Sequence, residues 1–359
     1  MWLCGCGKPL SVHYEWEGVP RDIRIETGEE NLWRYASVLP SNSTKEKISL
    51  GEGWTPLLPI GNNVYVKNET VNPTGSFKDR GMAMAVTLAK AQNVKKICLP
   101  SAGNAGISAS AYCQAAGIDC FVFLPETIPE PFKKETERYK SELVLSGQTI
   151  SEAAQTMINQ KDEDWFDIST LKEPFRVEGK KTLGYEIVEQ LGWSLPDVII
   201  YPTGGGTGLI GMWKAFKEMI GMGWISGSLP RMVVVQSDGC SPVVDAFELK
   251  KDTTEFYSNS YSAALGLNVP GPLGGYIILD IVSDSNGTAV KVPESNLEIE
   301  TEEFRKKTGI DSSAEGGAVW SVYKSLSESK WISPEEKVIL FATGIERRQG
   351  LIKTKFIYG

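Results

Sequence analysis

One stretch limits the possible folds of this chain more than any other. It is NPTGSFKDRG, residues 72–81, which combines a sharp bend with the start of a helix. Pro73 and Gly75 are turn residues that bend the backbone. Ser76 is a favoured helix N-cap, and residues 82–91 after it are rich in strong helix formers. The pattern therefore predicts a tight loop that leads into a helix capped by Ser76.

Lys78 lies in the first turn of this predicted helix, beside Asp79, which completes a weak form of the capping box. The positive end of the helix dipole disfavours a second positive charge there. A lysine that is held neutral is a candidate nucleophile or Schiff-base former, so the stretch indicates covalent chemistry at Lys78. The competing interpretation is a capped surface helix on which Lys78 and Arg80 have no chemical role.

Size, composition and charge exclude several classes of function. A chain of 359 residues exceeds one ordinary core, so two subdomains are expected. Its 41% hydrophobic and 23% charged residues are typical of a soluble globular protein, and the net charge of -8 argues against a nucleic-acid partner. A single histidine, His13, excludes a multi-histidine metal site. No apolar run reaches the length of a membrane span, and no signal peptide is evident, so we expect a cytoplasmic protein without membrane contact.

A loop of small polar residues follows the predicted strand 96–100. It reads Ser-Ala-Gly-Asn-Ala-Gly, residues 101–106, and a helix of small residues is predicted over 107–116. A strand, a small polar loop and a helix N-terminus together form an anion site. An ordinary strand-to-helix turn is the alternative.

A glycine-rich loop follows another predicted strand, 198–202, and reads Thr-Gly-Gly-Gly-Thr-Gly, residues 203–208. Consecutive glycines let backbone N–H groups close around a phosphate, and the following helix N-terminus adds its dipole. The Gly-Lys-Ser/Thr ending of a nucleotide P-loop is absent, and the dinucleotide fingerprint fits poorly. The loop therefore favours a small, compact phosphate.

These motifs resemble those of a known family. Residues 72–81 match, without a gap, the lysine motif of the threonine synthases, which are fold-type II pyridoxal-phosphate (PLP) enzymes, as are tryptophan synthase β and the serine/threonine dehydratases. The resemblance extends from about Cys4 to Gly344, and it implies an α/β fold with two open twisted sheet domains, helices on both faces, and PLP in the cleft between them. The implied divisions are an N-terminal arm and the start of the large PLP-binding domain in 1–80, a small mobile domain in 81–181, and the remainder of the large domain in 182–359.

The resemblance also assigns roles to individual residues. It implies that Lys78 forms the Schiff base with pyridoxal 5'-phosphate, that Asn104 bonds the ring oxygen, and that Thr343 faces the pyridine nitrogen. The implied cofactor site consists of Lys78, Phe77, Asn104, Gly204, Gly205, Gly206, Thr207, Gly208 and Thr343. The implied substrate site consists of Ser101, Gly103, Asn104 and, at the substrate phosphate, Arg176. A solvated basic patch before a helix over 183–191 is the alternative for the arginine.

The six cysteines are scattered, which indicates reduced thiols. They are Cys4, Cys6, Cys98, Cys113, Cys120 and Cys240. Cys4 and Cys6 resemble the second half of the zinc ribbon that opens some threonine synthases, but a tetrahedral zinc site needs four ligands. We therefore expect no metal here and a vestigial β-hairpin.

The main departure from the family lies near the C-terminal end. Threonine synthases commonly continue Thr-Gly-x-Gly-Leu-Lys, whereas this chain reads Thr-Gly-Ile-Glu-Arg-Arg, residues 343–348. Arg347 and Arg348 either bind a substrate anion near the cofactor or form a solvated patch. The departure leaves cofactor binding intact and concerns the identity of the substrate.

The resemblance implies a PLP-dependent lyase of threonine biosynthesis, which converts O-phospho-L-homoserine and water into L-threonine and phosphate. The expected partner is an amino-acid substrate with an anionic leaving group, and a homodimer is one candidate assembly. Two alternatives keep the cofactor: a β-replacing enzyme such as cysteate synthase, and a threonine/serine dehydratase. A third is a non-catalytic paralogue that binds a phosphorylated ligand, against which the retention of Lys78 argues.

Overall fold

The computed structural model describes residues 3–16, 25–40 and 46–347. Its strands are β1 Leu57–Gly61, β2 Val64–Asn68, β3 Lys96–Pro100, β4 Asp119–Leu124, β5 Glu142–Leu145, β6 Trp165–Asp167, β7 Val198–Pro202, β8 Arg231–Ser237, β9 Thr288–Val292 and β10 Val338–Ala342. Its α-helices are α1 Lys78–Ala91, α2 Asn104–Ala116, α3 Glu130–Arg138, α4 Ile150–Gln160, α5 Phe175–Gln190, α6 Thr207–Gly221, α7 Pro242–Glu248, α8 Gly275–Asp284, α9 Leu297–Thr308 and α10 Ala314–Glu328. Short 3₁₀ segments cover Leu32–Val38, Glu69–Val71 and Glu294–Asn296.

The larger sheet has the strand order β1-β2-β10-β7-β8-β9. Its edge pair, β1 and β2, is antiparallel, and its other neighbours are parallel. Alternate side chains of β7 enter two hydrophobic cores on opposite faces of the sheet, Ile199 in one and Ile200 in the other. Burial on both faces explains why β7 and β10 have continuous apolar sequences. Because β2, β10 and β7 are parallel neighbours, the loops that follow them meet at one edge of the sheet.

The smaller sheet has the order β5-β4-β3-β6 and is parallel throughout. It lies between residues 96 and 167, inside the segment 81–181 that the sequence predicts as the small domain. The loop after β3 is the predicted small polar loop. Two sheets with helices packed on them confirm the predicted fold class, and the division into separately moving domains stays a prediction.

Helices α1 and α5 pack with their backbones almost in contact. A Cβ at Gly179 would lie 2.0 Å from the carbonyl oxygen of Arg80, and one at Gly81 would lie 2.9 Å from the carbonyl oxygen of Arg176. Both positions therefore exclude a larger residue at this helix spacing. The close approach brings the first turns of the two helices together, and with them Lys78 and Arg176.

A buried ion network ties α1 to β2 and α5. Arg80 pairs with Glu69 at 2.7 Å and with Glu186 at 2.5 Å, and Glu186 also pairs with Lys67 at 2.9 Å. Arg80 is fully buried, so the interpretation of this stretch as a surface helix is wrong. Removing one partner from such a buried network costs about 3–5 kcal/mol, because it leaves a charge uncompensated. The network therefore fixes the start of α1 in the protein interior.

The prediction of Ser76 as the helix cap is wrong. Phe77 is the N-cap of α1 and makes no capping hydrogen bond with its side chain, while the hydroxyl of Ser76 accepts one long hydrogen bond, 3.4 Å, from the N–H of Lys78. Ser76 instead forms an antiparallel bridge with Gly344, and the carboxylate of Asp79 accepts hydrogen bonds from the N–H of Thr74 at 2.7 Å and from its hydroxyl at 2.5 Å. A bridge with a distant loop and contacts of Asp79 with Thr74 in its own loop have thus replaced the capping box.

The prediction that a helix starts at Leu183 is also wrong, because α5 starts at Phe175. The carboxylate of Glu173 accepts hydrogen bonds from the backbone N–H groups of Phe175 and Arg176, and it caps the helix from the residue before Pro174. Gly179 lies within this helix. Its close contact with α1 explains why the helix contains a glycine at this position.

Residues 3–9 form a turn closed by an antiparallel bridge between Leu3 and Pro9, as predicted for this end of the chain. Cys4 and Cys6 are exposed free thiols. Within the described ranges, no three His, Cys, Asp or Glu side chains are grouped so that they could hold a metal ion. Of the helices in those ranges, none is long and apolar enough to cross a membrane.

Candidate active site

Three loops meet where β2, β10 and β7 end: the lysine loop 72–81, the loop that begins at Thr343, and the glycine loop 203–208. The backbone N–H of Phe77 donates to the carbonyl oxygen of Thr343 at 3.0 Å. Thr343 itself is buried beside the start of α1. The sheet thus brings Lys78, Phe77 and Thr343 together from distant parts of the chain.

Lys78 is the first residue of α1, and its Nζ lies 4.3 Å from the centroid of the Phe77 ring. Its pKa is lowered to about 8, chiefly because the surrounding protein removes the amine from water, and also because the positive charge of Arg176 is near. The carboxylate of Glu315 opposes this shift. An ordinary lysine has a pKa of about 10.4, so far more of the Lys78 amine is neutral near pH 8, as a nucleophile must be. The side chain is half-buried and therefore accessible from the cleft.

Backbone conformation or close packing explains three of the glycines in the glycine loop. Gly206 has a φ of 71°, in the left-handed region that favours glycine. A Cβ at Gly204 would lie 2.2 Å from the carbonyl oxygen of Gly266, and one at Gly208 would lie 2.0 Å from the hydroxyl of Tyr201. These positions need glycine whatever the loop binds.

Gly205 differs, because little protein faces it. A Cβ there would meet only the γ-methyl group of Thr170 among the described residues, at 3.0 Å. Helix α6 begins two residues later at Thr207, and the first N–H groups of a helix have no partner within it. The loop therefore combines open space with unpartnered donors, an arrangement that suits a phosphate.

Ser101 closes its own loop after β3. Its Oγ accepts hydrogen bonds from the N–H of Gly103 at 3.1 Å and from the N–H of Gly106 at 2.9 Å. Gly103 has a φ of 131°, and a Cβ there would lie 2.6 Å from the ring of Phe132. Asn104 then begins α2. The hydroxyl of Ser101 thus shapes the loop, and the binding of a substrate carboxylate by this loop stays a prediction.

Arg347 connects the start of α2 with the lysine loop. Its Nε donates to Oδ1 of Asn104 at 3.1 Å, and its Nη2 donates to the carbonyl oxygen of Thr74 at 2.5 Å. Its guanidinium carbon lies 5.7 Å from the ring centroid of Phe132. The interpretation as a solvated patch is therefore wrong for Arg347, whereas Arg348 lies outside the described residues.

Arg176 is 2% exposed, so the interpretation as a solvated patch is wrong for it as well. Its Nη1 donates to the carbonyl oxygen of Ile168 at 2.7 Å, while its buried Nε has no partner among the described residues. Burial lowers the pKa of Arg176 to about 10, and the carboxylate of Glu173 opposes that shift. The structure thus places a buried guanidinium with a spare donor close to Lys78.

Sequence reasoning missed Lys180, which lies four residues after Arg176 in α5. Its side chain is fully buried, and its Nζ donates to Oγ1 of Thr207 at 2.8 Å. The same Nζ lies 5.0 Å from the centroid of the Phe77 ring, which Lys78 also approaches. Recognising this segment as helical would have revealed the residue, because positions four apart share one face of a helix.

The chain is similar in sequence to known proteins over most of its length. The family model described as pyridoxal-phosphate dependent enzyme matches residues 48–344. A threonine synthase of Methanocaldococcus jannaschii is 31% identical over 357 residues, which cover 96% of this chain and 88% of that protein. A threonine synthase of Methanosarcina acetivorans is 29% identical over 350 residues, 94% of this chain and 85% of that protein.

The fold is similar to that of solved structures with little sequence identity. A maize serine racemase has a TM-score of 0.70 at 17% identity, over 82% of this chain and 89% of that one. A threonine deaminase of Solanum lycopersicum has a TM-score of 0.69 at 19% identity, over 82% of this chain and 84% of that one. At these identities the similarity concerns the fold alone.

Proposed function

The chain belongs to the pyridoxal-phosphate dependent enzyme family, and we propose that it converts O-phospho-L-homoserine and water into L-threonine and phosphate. PLP is its cofactor, as the motifs imply. The relatives named threonine synthase, which align with nearly the whole chain, support the choice of reaction. The observation that carries the proposal is Arg176, a buried guanidinium with a spare donor beside Lys78, because a phosphorylated substrate needs such a cation.

The residues fit the cofactor. When bound, PLP supplies an aldehyde that a lysine can hold, a ring that accepts electrons from a substrate carbon, and a phosphate that anchors it. The half-buried amine of Lys78 suits the aldehyde. The space at Gly205 and the start of α6 suit the phosphate. The hydroxyl of Thr343, beside Phe77, suits a ring nitrogen that stays largely unprotonated.

Lys78 is the residue that moves protons in the proposed reaction. Its amine first holds the cofactor and is then free to take the proton from Cα of the substrate and a proton from Cβ. One of these protons leaves with the phosphate when it departs from Cγ, and the amine returns the other to Cγ, which becomes the methyl group. Water then adds its oxygen at Cβ and gives up a proton, which the same amine returns to Cα. A pKa of about 8 suits both directions, since proton transfer is most efficient when the pKa lies near the working pH.

Two groups hold the substrate at its ends. The loop of Ser101, Gly103 and Asn104 binds the carboxylate at the N-terminus of α2, where the helix dipole favours an anion. Arg176 binds the phosphate with its Nε, for which the described residues offer no partner. Arg347, which donates to Asn104, holds the amide of that residue in one orientation.

Turnover assays on three substrates test the proposal. We expect phosphate and L-threonine from O-phospho-L-homoserine, no ammonia from L-threonine, and no product from O-phospho-L-serine with sulfite. Arg176→Gln should raise the KM for O-phospho-L-homoserine by about tenfold or more, since a hydrogen bond to a charged group contributes about 1.5–3 kcal/mol.

Other outcomes of these assays would replace the proposed reaction. Ammonia release from threonine or serine identifies a dehydratase, and sulfite incorporation identifies a β-replacing enzyme such as cysteate synthase. No turnover of any substrate by the PLP-loaded protein identifies a non-catalytic paralogue.

We also propose that the enzyme works in the cytoplasm as a homodimer. The six free cysteines support a reducing compartment. Sedimentation of the PLP-loaded protein tests the assembly, and a monomeric mass would contradict it.

A further inference from the structure

Lys180 is a buried cation for which the reaction described so far has no use. The side chain is fully buried, and the hydrogen bond that it makes is to the neutral hydroxyl of Thr207. A Cβ at Gly81 would lie 3.1 Å from the Cε of Lys180, so the glycine makes room for the lysine stem. The amine is thus held at the first residue of α6, beside the glycine loop.

Two positive charges and one negative charge act on Lys180. Its pKa is lowered well below the ordinary value, first because it is buried and then because the positive charges of Arg176 and Lys78 are near, while Glu173 opposes the shift. Within the described part of the chain, no carboxylate lies within ion-pair distance of Lys180, Arg176 or Lys78. Burying a charge is costly unless a partner compensates it, so an anion bound beside these three cations would stabilise the cluster.

The next residue in the chain shows the contrast. Lys181 is also fully buried, but it pairs with Glu178 and with Glu218, each at 2.9 Å. Adjacent lysines on one helix therefore have opposite environments. Lys181 is neutralised by protein carboxylates, whereas the amine of Lys180 donates to the hydroxyl of Thr207 in the glycine loop.

We propose that Lys180 binds the phosphate group of PLP, together with the backbone amides of the glycine loop and the N-terminus of α6. This role follows from membership of the family and is independent of the proposed substrate. Thr207 fixes the amine at the end of the loop where a helix N-terminus already favours an anion. Arg176, one turn earlier on the same face of α5, is anchored instead to Ile168 of the smaller sheet and remains available for the substrate.

Cofactor binding to the apoprotein tests this role without reference to catalysis. Wild type, Lys180→Gln and Lys180→Arg are titrated with PLP and, separately, with pyridoxal, which lacks the phosphate. We expect Lys180→Gln to raise the Kd for PLP by about 10- to 100-fold, the range for a hydrogen bond to a charged group. The Kd for pyridoxal should change by less than about threefold, and Lys180→Arg should retain most of the affinity for PLP.

Lys172→Gln is the matched control. Lys172 is also a lysine, but its side chain is partly exposed and its Nζ lies 3.6 Å from a carboxylate oxygen of Asp167. It should leave both affinities unchanged. If Lys180→Gln does not fold, the ³¹P resonance of PLP bound to Lys180→Arg gives the readout, and it should shift from its wild-type position.

Three results would overturn the proposal. The first is an unchanged Kd for PLP in Lys180→Gln, and the second is an equal loss for PLP and pyridoxal, which indicates a structural role. The third is a normal Kd for PLP with a raised KM for the phosphorylated substrate, which would assign Lys180 to the substrate phosphate.

Discussion

Phe77 has two lysines of different character near its ring. The Nζ atoms of Lys78 and Lys180 lie 4.3 Å and 5.0 Å from the ring centroid, distances at which an aromatic face attracts a cation. Thr207 fixes the amine of Lys180, which is fully buried. Lys78 is half-buried and borders the cleft. This difference in accessibility supports the proposed roles, in which Lys78 reacts and Lys180 binds.

The contact between Arg347 and Asn104 can be tested by removing the arginine side chain. Arg347→Ala removes the donors to Asn104 and to the carbonyl oxygen of Thr74, so the substrate loop loses its connection to the lysine loop. We expect the KM for O-phospho-L-homoserine to rise by roughly three- to tenfold, since a hydrogen bond contributes about 1 kcal/mol and one partner is left unpaired. Steady-state kinetics measure the change. Arg138→Ala is the control, because that side chain is 70% exposed and pairs with Glu135 on its own helix.

An unchanged KM in Arg347→Ala, with Arg138→Ala also normal, would show that the contact with Asn104 has no bearing on the substrate. The departure from the Thr-Gly-x-Gly-Leu-Lys pattern would then leave substrate choice to other residues.

Within the glycine loop, some positions require glycine because of the fold, whereas Gly205 is available for a ligand. Gly205→Val adds a side chain where little protein faces it, so the fold should persist while the added methyl groups enter the space assigned to the phosphate. We expect the Kd for PLP to rise by about tenfold or more, since losing even two amide hydrogen bonds costs about 2 kcal/mol. Fluorescence titration of the apoprotein measures this.

Gly221→Val, at the other end of α6, is the matched control, because a Cβ there meets no atom within 4 Å. That variant should bind PLP normally. A normal titration for Gly205→Val would mean that its glycine serves the turn and not the ligand.

The elements that the sequence predicted are those whose signal is local. The strand 198–202 has the bounds that its apolar run indicates, because burial on both faces requires a continuous run. The start of α1 was predicted incorrectly, since Ser76 pairs with Gly344, more than 250 residues away. The start of α5 was predicted incorrectly because Gly179 suggests a break until its contact with Arg80 is seen.

The site residues also divide into those that a local motif reveals and those that depend on packing between elements. Lys78 and the glycine loop were identified from motifs that lie in single stretches of sequence. Lys180 was missed, and the burial of Arg347 was left open, because each depends on packing between elements: Lys180 on α6, and Arg347 on the loop that begins at Asn104. Sequence patterns do not show which element will lie opposite.

For the whole molecule, strand order explains how the site is assembled. The order β2-β10-β7 places the lysine loop, Thr343 and the glycine loop side by side, although they are far apart in sequence. The smaller sheet contributes the loop after β3, and α5 carries Arg176 and Lys180 between the two. Ligands of open α/β sheets bind at the carboxyl ends of the strands, and this cleft has that position.

The proposed chemistry depends above all on which lysine holds PLP. To identify this lysine, the PLP-loaded protein is reduced with borohydride and digested, and the pyridoxyl group is located by mass spectrometry. We expect the label on Lys78 in the wild-type protein, and a folded Lys78→Ala variant without turnover, because the reacting amine is gone. A label on Lys180, the other amine beside Phe77, or on any other lysine would contradict it.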